Sequence, residues 1–284
     1  MPLVNALGIL QQASSSGYAV GAYNILNELT ARAVVKACEE MGTPVILQTS
    51  TSTVKQIGIK ELIGFLINIA ENASIPVSVH LDHCKDPELC YACVDAGWPS
   101  IMIDASHLPL AENISITRKI AEYAAKKGVS VEGELGAISG VEDEISVKDG
   151  ESHLASLADS IAFCEKSGAD LFAPAIGTAH GMYKGEPKLD FERFAEIKKA
   201  VKQPLVIHGG TGLSTEAFKK LISLGASKIN ISTALKISYL SSIKTYMSDK
   251  DENSNPLKLD AFVENSIMEM AKEHNEIFGA VNVV

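Results

Sequence analysis

Eight short runs rich in apolar and β-branched residues recur along the chain, and stretches of helical periodicity lie between them. The runs cover residues 19–24, 44–50, 76–81, 100–104, 129–135, 170–176, 204–208 and 228–231. Helical patterns occupy 28–41, 60–70, 112–127, 154–167, 190–201 and 215–224. Strands separated by helices of this length pair in parallel, because a crossover helix returns the chain to the same end of the sheet. Eight such units in one stretch of chain predict a closed barrel rather than an open sheet. The expected fold is therefore a (β/α)8 TIM barrel, read as one domain over residues 1–284. An additional C-terminal helix is expected over 259–277, reached through a polar connection at 248–256. Gly128, Gly168 and Gly225 stand where a helix should end before the next strand.

Near-continuous apolar strands are what a barrel covered by helices requires, and 46% apolar with 21% charged residues supplies such a core. The net charge of −10 excludes nucleic acid and an anionic membrane as partners, since both demand a basic footprint. No apolar run reaches the roughly 20 residues of a membrane span. The N-terminal residues lack the basic and apolar regions of a signal peptide, so a cytoplasmic location is expected. The five cysteines are an odd number and are expected to be reduced thiols. Cys90 and Cys93 form a C-x-x-C pair inside a helical pattern, where that spacing simply places both on one face.

Barrel enzymes carry their chemistry at the C-terminal ends of the strands. There this chain has Asp82 and His83 after the third run, Asp104 at the end of the fourth, and Glu132 and Glu134 on the fifth. His180 follows the sixth and His208 ends the seventh. One such histidine would read as a rim residue. Three imidazoles converging with an open position read as a catalytic zinc site, with cobalt, iron or nickel as alternative ions. His80 is expected to orient its neighbours, His107 to be structural or peripheral, and His153 and His274 to lie on the surface. An anionic substrate on an acidic protein needs local anion-binding features. Gly209-Gly210-Thr211-Gly212 after the seventh strand and Asn230-Ile231-Ser232-Thr233 after the eighth provide them: backbone N–H groups, hydroxyls and a helix N-terminus. The segment 137–153 interrupts the rhythm between the fifth strand and its helix, and is expected to close over a substrate.

Several strings occur in order over nearly the whole chain: His80-Leu81-Asp82-His83, Met102-Ile103-Asp104-Ala105-Ser106-His107, Val131-Glu132-Gly133-Glu134-Leu135-Gly136, Gly140-Val141-Glu142-Asp143, Ala175-Ile176-Gly177-Thr178-Ala179-His180-Gly181 and Asn230-Ile231-Ser232-Thr233. Together they resemble the class II fructose/tagatose-bisphosphate aldolases. The resemblance implies that His83, His180 and His208 hold a catalytic Zn2+. It implies that Asp82 exchanges the proton on the C4 oxygen, and that Glu142 shuttles the proton at C3. Asp104 and Glu134 match positions for a second or alternative divalent metal. Gly181, Gly209, Gly210, Thr211, Asn230, Ile231, Ser232 and Thr233 match the site for the phosphate and hydroxyketone of dihydroxyacetone phosphate. Ser50 matches a hydroxyl near the aldehyde half. A monovalent cation (Na+ or K+) near the phosphate is common in that family, as is assembly into a homodimer or homotetramer, for which helix 259–277 offers a contact.

The implied reaction is cleavage of a phosphorylated ketose to dihydroxyacetone phosphate and an aldehyde. Ser232 stands where fructose-type members often have Asp and tagatose-type members Ala. The three arginines (Arg32, Arg118, Arg193) avoid the C-terminal helix. The distal end of the sugar therefore stays open, and a different ketose 1-phosphate is an alternative. A metallohydrolase on the same fold would carry H-x-H after the first strand, where this chain has Ala22-Tyr23-Asn24. A Schiff-base aldolase would need a strand-end lysine, and Lys184 falls beyond the sixth strand. A non-catalytic aldolase-like subunit could have lost Asp82 or a metal histidine, yet all are present.

Overall fold

A computed structural model of the protein describes residues 2–142, 145–147, 153–183, 185, 187–248 and 255–284, with only the backbone described at 139–142 and 145–147. The chain opens with α1 (Ala6–Ser16), β1 (Val20–Asn24), α2 (Glu28–Met41) and β2 (Val45–Ser50). Next come α3 (Thr51–Ile57), α4 (Ile59–Asn72), β3 (Val77–Cys84), α5 (Pro87–Ala96), β4 (Ser100–Ile103), α6 (Leu110–Ala125) and β5 (Ser130–Leu135). A small hairpin, β6 (Ser139–Glu142) and β7 (Ile145–Val147), precedes α7 (Leu157–Lys166), β8 (Leu171–Pro174) and the two-residue β9 (Ala179–His180). The chain finishes with α8 (Phe191–Ala200), β10 (Leu205–Ile207), α9 (Thr215–Ser223), β11 (Ala226–Ile231), α10 (Thr233–Ser248) and α11 (Pro256–Ile277).

Eight strands, β1, β2, β3, β4, β5, β8, β10 and β11, close in that order into an all-parallel barrel, with β11 returning to β1. The expected TIM barrel is present, and all eight predicted strands appear. Local signals start and stop the helices. Asn27 and Thr30 form a capping box at α2, and Asp86 caps α5 with Pro87 in its first turn. Gly128, Gly168 and Gly225 all take positive φ between a helix and the following strand.

Strand parity separates two apolar clusters. Outward residues such as Leu47, Val79, Leu81, Ile101, Val131, Phe172, Ile207 and Ile229 pack under the helices as the main core. Inward residues Val20, Ala22, Ile46, Leu171, Ala173 and Val206 form a smaller cluster with Ala6, Ile9, Leu10 and Ala13 of α1. That helix, which the periodicity of the strands did not announce, therefore plugs the end of the barrel opposite the strand C-termini. The polar inward residues lie above this plug: Gln48, His80, Glu132 and Lys228, then Asn24, Asp82, Glu134 and Asn230 nearer the mouth. Alternation along the strand explains both groups, since every second residue faces inward.

Two expectations need correction. His274 is not a surface residue: it is wedged edge-on between Phe218 and Phe278, with Nδ1 at 2.7 Å from the Met270 carbonyl oxygen, and burial depresses its proton affinity. Its i,i+4 spacing to Phe278 on α11 was the available signal. His180 does not sit at the end of its barrel strand. It lies in β9, which pairs in parallel with β6 (Ser139 with Ala179, Gly140 with His180) as part of a three-stranded sheet above the barrel. His153 is exposed, as expected, and His107, expected to be structural or peripheral, is exposed as well; Cys90 and Cys93 are buried free thiols. Among the described residues, no helix is long and apolar enough to cross a membrane.

Candidate active site

The site is built around an irregularity in β3. Consecutive strand residues normally face opposite sides of a sheet, yet Asp82 and His83 both contribute to one cluster. The β3–β4 register shifts between Leu81 and Cys84, and His83 adopts φ 46. Such a bulge re-aims a side chain. A left-handed conformation at a residue other than glycine costs about 1–3 kcal/mol, and such strain concentrates at functional sites.

The imidazoles of His83, His180 and His208 converge. Ring centroids lie 4.9 Å apart for His83 and His180, 4.4 Å for His83 and His208, and 6.4 Å for His180 and His208. Ligand atoms of Asp82, His83 and His208 fall within 4.8 Å of one another, and all three residues are buried. Two ring nitrogens of this cluster have no hydrogen-bond partner: His83 Nε2 and His208 Nδ1. Buried polar atoms are normally satisfied, so two left open beside a carboxylate fit a cation. The opposite nitrogens are engaged. His83 Nδ1 lies 3.2 Å from Asp104 Oδ2, and His208 Nε2 lies 2.7 Å from Glu132 Oε1. Carboxylates placed behind imidazoles in this way fix ring orientation and leave the other nitrogen for a metal.

The remaining acids surround the same point. Glu134 Oε2 is 2.8 Å from His208 Nδ1 without the alignment of a hydrogen bond, and 3.8 Å from His83 Nδ1. The other Asp104 oxygen, Oδ1, accepts from the Ser106 amide and hydroxyl at 3.1 and 2.6 Å. Burial opposes protonation of His83, but Asp82, Asp104 and Glu134 together raise its proton affinity well above the usual value. Burial and the neighbouring His83 oppose protonation of His208, and the Glu132 and Glu134 carboxylates outweigh them. Burial would raise the Asp104 carboxyl, yet the His83 hydrogen bond and charge hold it below its ordinary range.

Asp82 is held by two amides. Asn24 Nδ2 donates to Oδ2 at 2.9 Å, and Asn230 Nδ2 donates to Oδ1 at 3.3 Å; Gln48 Nε2 in turn donates to Asn24 Oδ1 at 2.9 Å. Asn24 and Gln48 were not singled out in the sequence. Their signal was a polar residue at every inward position of β1 and β2 near the mouth. Ser50 pairs in register with Asp82 across β2 and β3, and its hydroxyl caps α3 through the Thr53 amide at 3.3 Å.

The glycine loops adjoin this cluster. Gly209 has φ 66, and a Cβ there would strike the Ala179 carbonyl; a Cβ at Gly210 would come within 2.7 Å of the Asn230 carbonyl oxygen. These positions therefore require glycine for close backbone approach. Tyr183 fastens the two loops: its hydroxyl accepts the Ala179 amide at 3.0 Å and donates to the Gly209 carbonyl at 2.8 Å. Gly181 has φ 85 directly after His180. Thr211 Oγ1 accepts the Ala234 amide at 3.2 Å at the start of α10. Asn230 Oδ1 and Ser232 Oγ are buried without partners, whereas the Ile231 side chain belongs to the outer core. Thr233 begins α10. The Glu142 side chain lies outside the described residues.

Lys228 is the one inward lysine of the eight barrel strands. It is fully buried and donates to Glu132 Oε2 at 2.8 Å. An ammonium so paired, below the imidazoles, is not placed as a Schiff-base nucleophile.

Residues 4–283 match the family model described as fructose-bisphosphate aldolase class-II. The chain belongs to the class II fructose-bisphosphate aldolase family. It is 40% identical to the fructose-bisphosphate aldolase of Staphylococcus aureus (strain Mu50 / ATCC 700699) over 287 aligned positions, which cover 99% of each protein. It is similar to the crystal structure of the YdjI aldolase from Escherichia coli K12, with a TM-score of 0.88, 30% identity and 98% of each chain covered. A fructose-bisphosphate aldolase from Campylobacter jejuni shares the fold at a TM-score of 0.83 and 22% identity, over 99% of this chain and 96% of that one. The class II aldolase family is metal-dependent, and the buried Asp82, His83 and His208 cluster brings together side chains that could hold a metal ion.

Proposed function

We propose that the protein reversibly cleaves a ketose 1,6-bisphosphate of the fructose or tagatose type into dihydroxyacetone phosphate and an aldehyde such as glyceraldehyde 3-phosphate. The observation that carries this reading is the clustering of the His83, His180 and His208 rings at one barrel mouth, with Asp82 beside His83 and His208 and the buried Asn230 Oδ1 and Ser232 Oγ left without partners. His83 Nε2, His208 Nδ1 and the His180 ring would hold Zn2+, which imidazole nitrogens suit once the ion displaces their protons. Bound there, the ion supplies positive charge against the enediolate that C3–C4 cleavage leaves.

The chain's own groups divide the rest. Asp82 takes the proton from the C4 oxygen in cleavage and returns it in condensation, while its two amide partners fix the carboxylate's angle. Glu142 moves the proton at C3. Asp104 orients His83, and Glu134, with an oxygen free of hydrogen bonds, is the residue best placed to hold a second or alternative metal. Backbone amides of Gly181 and Gly209 to Thr211, with Ser232, Thr233 and the start of α10, receive the phosphate, and a monovalent cation there offsets its charge. Asn230 Oδ1 and Ser232 Oγ meet the hydroxyketone, and Ser50 the aldehyde half.

Cleavage rates on fructose 1,6-bisphosphate and tagatose 1,6-bisphosphate, measured side by side, test the substrate. Turnover of either supports the reading and the ratio names the sugar. Inactivity on both with zinc bound would replace it with another ketose 1-phosphate. Assembly is proposed to be a homodimer or homotetramer. One face of α11 is spent on the barrel through Val263, Ile267 and Ala271, whereas α10 leaves Ile237, Leu240 and Met247 exposed along one side. Sedimentation of the wild type against Leu240→Glu checks that surface: an unchanged mass would remove it.

A further inference from the structure

We infer that Glu132, anchored by Lys228, is a positioning residue that fixes the metal-binding face of His208. The inference rests on the three-histidine metal reading above. Four groups sit in the barrel's middle layer with almost no exposure: His80, Glu132 and Lys228 at 0% and His208 at 2%. Inward neighbours Leu171, Ala173, Val206 and Ile46 show that apolar side chains fill adjacent positions. A buried ion pair is weak as a source of stability, because desolvation offsets the attraction. Its presence here therefore asks for another reason.

The geometry supplies one. The two Glu132 oxygens are divided: Oε1 lies 2.7 Å from His208 Nε2, and Oε2 accepts from Lys228 Nζ at 2.8 Å. His80 Nε2 approaches Oε2 at 3.5 Å, and His80 Nδ1 is tied to Ser100 Oγ at 2.8 Å, which in turn accepts from Ser130 Oγ at 2.9 Å. Glu132 thus acts only as an acceptor toward His208, so the imidazole keeps its proton on Nε2. The lone pair is left on Nδ1, which has no hydrogen-bond partner and lies 2.8 Å from Glu134 Oε2. Lys228 provides the countercharge that keeps a carboxylate at this depth, and its ammonium fills the layer where a second cation would otherwise enter. The pair joins β5 to β11 across the barrel, so it also sets the His208 ring against a frame independent of its own loop.

The test uses the full-length protein stripped of metal. Dissociation constants for Zn2+ are measured by competition with a chromophoric chelator, and the Co2+ d–d absorption spectrum reports ligand geometry. Wild type is compared with Glu132→Gln, Lys228→Met and the double variant. Glu132→Gln is expected to weaken Zn2+ binding about 10–100-fold, as loss of a partner behind a metal ligand does elsewhere, and to shift the Co2+ bands. The double variant removes both charges, relieves the uncompensated ammonium and should melt near the wild type while retaining the weak binding and shifted bands. A purely structural role would instead let the double variant recover wild-type affinity and spectrum, which overturns the inference. Unchanged affinity and bands in folded Glu132→Gln overturn it equally. Wild-type protein that binds neither ion overturns the metal reading itself, and the inference with it.

Discussion

Replacing Asp82 with asparagine separates its proposed chemistry from its structural role, and the hydrogen-bond partners give the expected size of each effect. The new side chain keeps the shape but turns one acceptor into an N–H2 donor. Directed at Asn24, that donor would meet another donor, and Asn24 cannot turn without losing the bond it accepts from Gln48. Directed at Asn230 the conflict disappears, because Asn230 Oδ1 has no partner and can rotate to accept. Asp82→Asn should therefore cost less than about 1 kcal/mol of stability, one ordinary hydrogen bond at most. Asp82→Ala strands the Asn24 donor and should cost about 1–3 kcal/mol. The loss of a group that moves the C4 proton is worth about 10²–10⁴ in rate, or roughly 3–5 kcal/mol of barrel-mouth chemistry. Steady-state cleavage, metal content by elemental analysis and a thermal melt read the three quantities on the same sample. A folded, metal-loaded asparagine variant within tenfold of wild-type turnover would refute the proton role. Parallel loss of metal and activity would instead make Asp82 a ligand.

Three further outcomes are expected. Tyr183→Phe removes the hydroxyl that joins Ala179 to Gly209; binding of inorganic phosphate, read by calorimetry, should weaken about 5–30-fold, as 1–2 kcal/mol of lost bonding implies, and unchanged binding would dismiss the clamp. In the metal-free protein the proton affinities of His83 and His208 are raised. Their protonated forms therefore stabilise the fold fully below the unfolded histidine value of about 6.5, and this contribution is lost as pH rises through the folded values. A metal competes with those protons, so Zn2+ affinity should keep rising as pH increases beyond the ordinary histidine value of about 6.5, with proton release in a weakly buffered indicator assay; a flat profile would contradict the shifts. Glu142→Gln should slow exchange of the C3 proton of dihydroxyacetone phosphate with solvent about 10²-fold or more while leaving phosphate affinity near wild type, and unchanged exchange would remove Glu142 from the mechanism.

The barrel was legible because eight apolar strands and the glycines between them are local signals, and His83 and His208 fall at strand ends where the fold puts chemistry. Less legible were features set by parity or by distant partners. Glu132 was visible as a strand residue, but its meaning depends on Lys228, 96 residues away. Asp82 and His83 were visible as candidates at a strand end, but strand alternation sends neighbours to opposite faces, and the bulge that brings both to one cluster was not visible. His180 looked like a strand end because its glycine-rich flanks resemble one, while the actual device is a short strand bound to β6, beyond the reach of local periodicity. The plug formed by α1 has an apolar stripe, yet only the closed barrel shows what it seals.

In the proposed function, the imidazoles of His83, His180 and His208 hold the ion on which catalysis depends. The most direct test is cleavage activity of the purified protein after exhaustive chelation and again after titration with Zn2+. Chelation is expected to abolish activity, and about one equivalent of zinc to restore it. Full activity in the chelated, metal-free protein would contradict it.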